Sequence, residues 1–111
     1  MKIIKDLLTY ETFINENDRV VMIFMSEWCT DCHYIETFLP HIEALYDTLV
    51  FAKVDREAVA WLSNHYNIYG VPSFLVYEKG SVINRYIDKR RKTFADVKAF
   101  LDSLVFQEGR D

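Results

Sequence analysis

The 111-residue sequence contains few of the residues that mark linkers, and no long apolar run. Three glycines and two prolines are too few for a low-complexity segment. No apolar stretch approaches the roughly 20 residues that a membrane-spanning helix needs. Half of the residues are apolar and 15% are aromatic, which is typical of a globular protein. The sequence therefore predicts a single domain over residues 1–111, long enough to bury its own core.

Charge and the N-terminal segment bear on partners and location. The formal net charge of -4 argues against nucleic acid as a partner. The segment from Met1 to Asp6 lacks the apolar core of a secretory signal. We therefore expect a cytoplasmic monomer that binds neither nucleic acid nor a membrane.

Cys29 and Cys32 are the only cysteines, and two residues separate them. A disulfide closing so short a loop constrains the unfolded chain little, so a structural role is disfavoured. In a reducing compartment this spacing indicates redox or metal chemistry. With His33 the string also matches a c-type haem attachment motif, whereas zinc would need two more ligands that His41 and His65 are not spaced to supply. The residues alone leave these alternatives open and favour redox chemistry.

Hydrophobic patterning predicts an α/β order of elements. A six-residue apolar run, Val20 to Met25, predicts a strand buried on both faces. The other predicted elements are a short strand at residues 3–4, a helix at 10–15, a long helix from Cys29 to about Thr48 with a kink at Pro40, a strand at 49–54, a helix at 58–66, a hairpin of strands 74–77 and 82–87, and a last helix opened by Thr93 and Asp96. The strand–helix–strand order implies a parallel pair, and the hairpin adds antiparallel strands.

The dithiol lies where the buried strand gives way to a helix. Unpaired N–H groups in the first helical turn favour a thiolate there. Cys29 is therefore expected to attack, and Cys32, one turn deeper, to resolve the mixed disulfide.

Several short motifs occur together along the chain: Ser26-Glu27-Trp28-Cys29-x-x-Cys32, Pro40, Ala52-Lys53-Val54-Asp55, Gly70-Val71-Pro72-Ser73 and Gly80. Through them the chain resembles the thioredoxin family over nearly its whole length. The resemblance implies a thioredoxin fold, with a central mixed sheet of four to five strands flanked by four helices. It also implies a cis bond before Pro72, with Pro72 against the two sulfurs, and a substrate-contact surface of Trp28, Val71 and Pro72. No cofactor is implied; the implied partners are protein disulfides and a thioredoxin-reductase-type electron donor.

Departures from that family pattern predict a variant site. Ile23 stands where the family has a buried Asp that is thought to take the proton of the deeper cysteine. Lys53 is retained, so we expect its ammonium to reach solvent or another carboxylate. Between the cysteines are Thr30 and Asp31, and a carboxylate facing Cys29 would destabilise its thiolate and make the pair more reducing.

The run Lys89-Arg90-Arg91-Lys92 is a further departure, in a region where many thioredoxins have a glycine lining the binding groove. Four basic residues in a row are most often a solvated loop. The alternative is that they select acidic or phosphorylated partners beside the dithiol.

Two functions follow. The favoured one is a thiol–disulfide oxidoreductase that mainly reduces protein disulfides. The alternative is a thioredoxin-like binding or adaptor module with little redox turnover, which Ile23 and the Thr30-Asp31 pair keep open.

Overall fold

The computed structural model describes residues 1–107, so the last four residues of the predicted domain lie outside it. The strands are β1 (Lys2–Ile4), β2 (Arg19–Met25), β3 (Val50–Asp55), β4 (Ser73–Glu78) and β5 (Ser81–Tyr86). The helices are α1 (Leu7–Glu16), α2 (Thr30–Glu36), α3 (Leu39–Leu45), α4 (Ala60–His65) and α5 (Phe94–Asp102). Within residues 1–107, no helix is both long enough and apolar enough to cross a membrane.

The strands form one mixed sheet in the order β1-β3-β2-β4-β5. β1, β3 and β2 are parallel, whereas β4 is antiparallel to both β2 and β5. The predicted parallel pair, hairpin and mixed sheet are thus confirmed, and the sheet has five strands, within the four to five expected. Strand β2 is buried from Val20 to Met25, as its apolar run predicts. Because β2, β3 and β5 run in one direction, the segments that follow them lie at the same edge of the sheet.

The predicted long helix is two helices, which corrects the count of flanking helices from four to five. Pro40 has no N–H to donate to the carbonyl of Glu36, and its ring crowds that carbonyl. The backbone N–H groups of Thr37 and Phe38 bond three residues back instead of four, and α2 ends at Glu36. Pro40 then lies in the first turn of α3, where a missing N–H costs nothing. Helix α3 ends at Leu45, short of the predicted Thr48.

Capping side chains set both terminal helices. Asp6 accepts a hydrogen bond from the backbone N–H of Thr9 at 2.7 Å, so α1 begins at Leu7 rather than at the predicted Tyr10. At α5 the predicted capping box is confirmed, because Thr93 and Asp96 each accept a bond from the other's backbone N–H.

The basic run is not simply a solvated loop, because Lys92 is only 1% exposed. Its ammonium lies 2.7 Å from Oδ1 of Asp88 and donates to the carbonyls of Asp88 and Arg90. Arg90 pairs with the same carboxylate at 3.1 Å. Burial by itself raises the pKa of Asp88, but hydrogen bonds from Lys92 and Arg90 lower it below the usual value. The start of the loop between β5 and α5 is therefore held in shape by a buried cation.

Gly70 holds this loop against the turn that precedes β4. A Cβ atom at Gly70 would lie 2.3 Å from the carbonyl oxygen of Asp88 and 2.9 Å from the Cα of Lys89. Only glycine allows the two backbones to approach so closely. The contact places Lys89 beside Val71, close to the dithiol.

Replacing Asp88 by Asn is expected to destabilise the protein by about 3 kcal/mol, because it leaves the buried Lys92 ammonium without its carboxylate. Lys92→Met, which removes the charge that needs a partner, should cost clearly less. Urea unfolding at pH 7 measures both. The ionised Asp88 stabilises the fold above the ordinary carboxyl pKa of about 4, and this contribution is lost as pH falls through its lower folded pKa. Asp88→Asn should therefore flatten the acid limb of stability; equal losses in the two variants would contradict the assignment.

Candidate active site

The two cysteines lie at the start of α2, directly beyond the carboxyl end of β2. Cys29 is the N-cap residue, and its Sγ accepts a hydrogen bond from the backbone N–H of Cys32 at 3.2 Å. On its other side the same Sγ donates to the carbonyl oxygen of Val71 at 3.6 Å. Because Cys29 is the N-cap residue of α2, the sequence-based placement of this cysteine at a helix start is confirmed.

The two thiols differ in their surroundings. Cys29 is 7% exposed and Cys32 only 2%, so Cys29 is the more accessible sulfur. Burial is the main cause that raises the pKa of the Cys32 thiol to about 12, and its hydrogen bond to Cys29 and the charge of Glu36 add to that effect. At neutral pH Cys32 is therefore protonated.

The two sulfurs also open onto different surface depressions. The first, which we name the Cys29 groove, is lined by Trp28, Cys29, Thr30, Asp31, Arg56, Tyr69, Gly70, Val71 and Lys89. The second, the Cys32 pocket, includes Ser26, Cys32, His33, Glu36 and Lys53. Each sulfur thus has its own neighbours, and each set carries its own charges.

Glu36 in the Cys32 pocket is a residue that the sequence analysis missed. Ile23 is fully buried opposite Lys53 in the β2–β3 register and offers no carboxylate. Nζ of Lys53 reaches Oε2 of Glu36 at 3.0 Å instead, which confirms the expectation that this ammonium finds another partner. Glu36 follows Cys32 by four residues and so lies on the same helix face. That spacing, together with a lysine in need of a partner, is the signal that identifies it.

Asp31 does not act on Cys29 as an isolated charge. Its Oδ1 lies 3.0 Å from Nε of Arg91, and the guanidinium of Arg91 lies 4.2 Å from the ring centroid of Tyr34. The repulsion expected from the sequence is therefore offset by a cation from the loop before α5. Arg91 and Lys92 are both paired within the protein, so neither is available to bind an acidic or phosphorylated partner in the way that the alternative interpretation of the basic run supposes.

The predicted substrate-contact residues occupy different environments. Trp28 is 70% exposed at the groove, so its ring does not pack in the core. Thr30 is exposed in the first turn of α2, and the buried side chain of Val71 also lines the groove. The Val71–Pro72 bond is cis, as the resemblance implied. Pro72 is buried and does not line the groove.

The side chain of His33 contacts neighbouring residues of the protein through both ring nitrogens. Nε2 of His33 lies 2.7 Å from the carbonyl oxygen of Glu27, and its Nδ1 lies 3.7 Å from Glu36. Among residues 1–107, no group of three or more His, Cys, Asp or Glu side chains is placed to hold a metal ion. The geometry here is that of a free dithiol in which both cysteines are buried, Cys29 less completely than Cys32.

Comparison with known proteins bears on this geometry. The thioredoxin family model matches residues 3–103. Thioredoxin 1 of Plasmodium falciparum is 32% identical over 84 residues, which cover 76% of this chain and 81% of that protein. Thioredoxin-1 of Schizosaccharomyces pombe is 24% identical over 102 residues, covering 91% of this chain and 99% of that protein. The solved structure of Plasmodium falciparum thioredoxin aligns with a TM-score of 0.82 at 27% identity, over 95% of this chain and 100% of that one.

The fold and the paired cysteines at a strand–helix junction define a thioredoxin-fold dithiol protein. With the family match and these relatives, the chain belongs to the thioredoxin family. It is accordingly a thiol–disulfide oxidoreductase that acts on protein disulfides.

Glu36→Gln is expected to lower the pKa of the Cys32 thiol, because the Glu36 charge is one cause of its elevation. The value should stay above that of an ordinary thiol, since burial, the larger cause, is unchanged. A pH titration of the reduced protein with 13C-labelled cysteine measures the shift. Glu43→Gln, also beside Lys53, is the matched control and should leave Cys32 unaffected; a rise in the pKa of Cys32 in Glu36→Gln would contradict the geometry.

Arg91→Gln should make the Cys29–Cys32 pair more reducing by up to about 20 mV, the equivalent of about 1 kcal/mol for an exposed ion pair. Without Arg91, the carboxylate of Asp31 destabilises the Cys29 thiolate and thereby the reduced form. Equilibration with a glutathione buffer gives the potential. Arg90→Gln, whose partner is Asp88, is the control, and an equal change in both variants would refute the effect.

Proposed function

We propose that Cys29 is the nucleophile and Cys32 the resolving thiol in the reduction of protein disulfides. The observation that carries these roles is the contrast between the sulfurs. Cys29 is the more accessible and accepts a backbone N–H, whereas Cys32 is buried with a pKa near 12. A thiol that stays protonated at neutral pH is a poor first attacker.

The reaction proceeds in two exchanges. The Cys29 thiolate attacks one sulfur of the substrate disulfide, which breaks that bond and releases one substrate thiolate. Cys32 then loses its proton and attacks Sγ of Cys29, forming the Cys29–Cys32 disulfide and releasing the second substrate thiolate. Two electrons have passed to the substrate, and a reductase of the thioredoxin-reductase type returns them to the dithiol.

Trp28 and the backbone of Val71 form the substrate-contact surface in this proposal. Trp28 presents an exposed aromatic ring at the groove, and the Val71 carbonyl lies 3.6 Å from Sγ of Cys29. A substrate segment joined to Cys29 would run along Val71 as an added extended strand. Pro72 contributes by following Val71 through the cis bond.

A cytoplasmic monomer is part of the same proposal. Both cysteines of the chain belong to the dithiol, which suits a reducing compartment. All the site residues described above come from one chain, so a monomer is sufficient for the chemistry. Size-exclusion chromatography with light scattering tests the monomer; a stable dimer would refute it.

The alternative, an adaptor with little turnover, is favoured by one observation. Cys32 is deeply buried with a raised pKa, and Ile23 supplies no acid beside it, so resolution of the mixed disulfide is slow in that view. Insulin reduction driven by dithiothreitol separates the two functions, because an adaptor would not accelerate it.

Cys29→Ser should abolish insulin reduction, because the remaining thiol, Cys32, is more deeply buried and stays protonated at neutral pH. Cys32→Ser should retain the first attack and accumulate a mixed disulfide with insulin, detected as an increase in mass that dithiothreitol reverses. Each serine variant is the control for the other, because each one removes a single thiol of the pair. Insulin reduction that persists in Cys29→Ser, or a trap that forms there and not in Cys32→Ser, would overturn the assigned roles.

A further inference from the structure

Two cations flank Cys29 from opposite sides of the groove. Arg56 directly follows β3, and Lys89 follows β5 by a few residues. In the order β3-β2-β4-β5, Cys29 at the end of β2 lies between the segments that carry them. Trp28 and Tyr69, 70% and 48% exposed, add aromatic surface to the same groove.

The position of Lys89 is fixed by its backbone. The loop at residues 88–89 approaches Gly70 so closely that a Cβ there would overlap the Asp88 carbonyl. The buried ammonium of Lys92 ties the loop together through Asp88 and the carbonyl of Arg90. Lys89 is therefore held at the groove by structure on both sides of it.

The charges of Lys89 and Arg56 are not neutralised by any residue between positions 1 and 107. The other cations of the basic run are engaged, because Arg90 and Lys92 pair with Asp88 and Arg91 pairs with Asp31. Among residues 1–107, neither Lys89 nor Arg56 makes an ion pair.

The carboxylates next to these cations in sequence, Asp55, Glu57 and Asp88, do not line the groove, and the carboxylate that does is already engaged. Asp31, which lines the groove, is bound by Arg91. Glu57, next to Arg56, accepts hydrogen bonds from Oγ of Ser26 at 2.8 and 3.0 Å and does not line the groove. The groove is thus locally positive on a chain whose net charge is -4.

We propose that this groove selects protein disulfides whose reacting cysteine is flanked by acidic residues. The inference rests on the proposed attack by Cys29, which brings the substrate cysteine between Arg56 and Lys89. Three strand spacings separate β3 from β5, or about 14 Å, which is about four residues of extended chain. Acidic residues two positions before and two positions after the cysteine match that separation. Arg91 and Lys92 serve this selection only by holding Asp31 and the loop in place.

Three peptide disulfides test the preference, each a symmetric dimer of Xaa-Ser-Cys-Ser-Xaa with Glu, Gln or Lys at the outer positions. The second-order rate of reduction by the reduced protein is divided by the rate of the same peptide with dithiothreitol, which removes intrinsic reactivity. The normalised rates should fall in the order Glu, Gln, Lys, by roughly two- to fivefold per step. The spread should shrink between about 50 and 500 mM salt, because the charges are exposed.

Charge-reversal variants locate the source of the preference. Lys89→Glu and Arg56→Glu should each reduce it, and the double variant should invert the order. Lys79→Glu makes the same charge change in the hairpin at the far end of the sheet, and should leave the order unchanged. If Lys89→Glu does not fold, judged by circular dichroism, Lys89→Gln should still remove about half of the preference.

The outcomes separate the two levels of the proposal. Normalised rates that are equal for the three peptides would overturn the acidic selection and leave the oxidoreductase intact. Failure of the wild-type protein to reduce any peptide that dithiothreitol reduces would overturn the role of Cys29. An equal loss of preference in Lys79→Glu and Lys89→Glu would mean that overall charge, not this groove, sets the order.

Discussion

The burial of β2 on both faces is the constraint on which the rest of the structure depends. The strand pairs with β3 on one side and with β4 on the other, so it has no freedom to shift in register. Its carboxyl end therefore delivers Cys29 to one fixed point at the edge of the sheet. The ends of β3 and β5 meet the same edge, which brings Arg56 and Lys89 to the dithiol from distant parts of the chain.

Around that point, each carboxylate of α2 that lies beside a sulfur is held by a cation from another element. Glu36 on α2 holds Lys53 from β3, and Asp31 on α2 holds Arg91 from the loop before α5. The pairs set different fields at the two thiols. The negative charge of Glu36 acts on the buried Cys32, whereas Asp31, the carboxylate that lines the Cys29 groove, is offset by a guanidinium.

The sequence predicts the α/β order of elements and the dithiol because both rest on local signals, whereas the thioredoxin fold is what the resemblance implies. The apolar run at Val20 to Met25, the Cys29–Cys32 spacing and the capping box at Thr93 each depend on residues close together in the chain. The sequence predicts a kink at Pro40, whereas the structure has a break between two helices. The residue types alone do not distinguish these outcomes, because the extent of the disruption depends on whether neighbouring N–H groups find other acceptors. The pairing of Asp31 with Arg91 joins residues 60 positions apart, and no periodicity reports such a contact. A run of basic residues is usually solvated, and its composition does not show that Lys92 is buried against Asp88.

The dithiol opens onto two separate surface depressions, the Cys29 groove in front and the Cys32 pocket behind. Cys29 opens onto one with aromatic and cationic walls, and Cys32 onto the other with the Glu36–Lys53 pair. Substitutions at Lys89 or Arg56 change which substrates the Cys29 groove contacts, and they leave the groups around the Cys32 thiol unchanged. Substitutions at Glu36 change the surroundings of the Cys32 thiol and leave the shape of the Cys29 groove unchanged. Recognition and thiol acidity can therefore diverge independently among relatives that share this arrangement, although one bond between two sulfurs serves both.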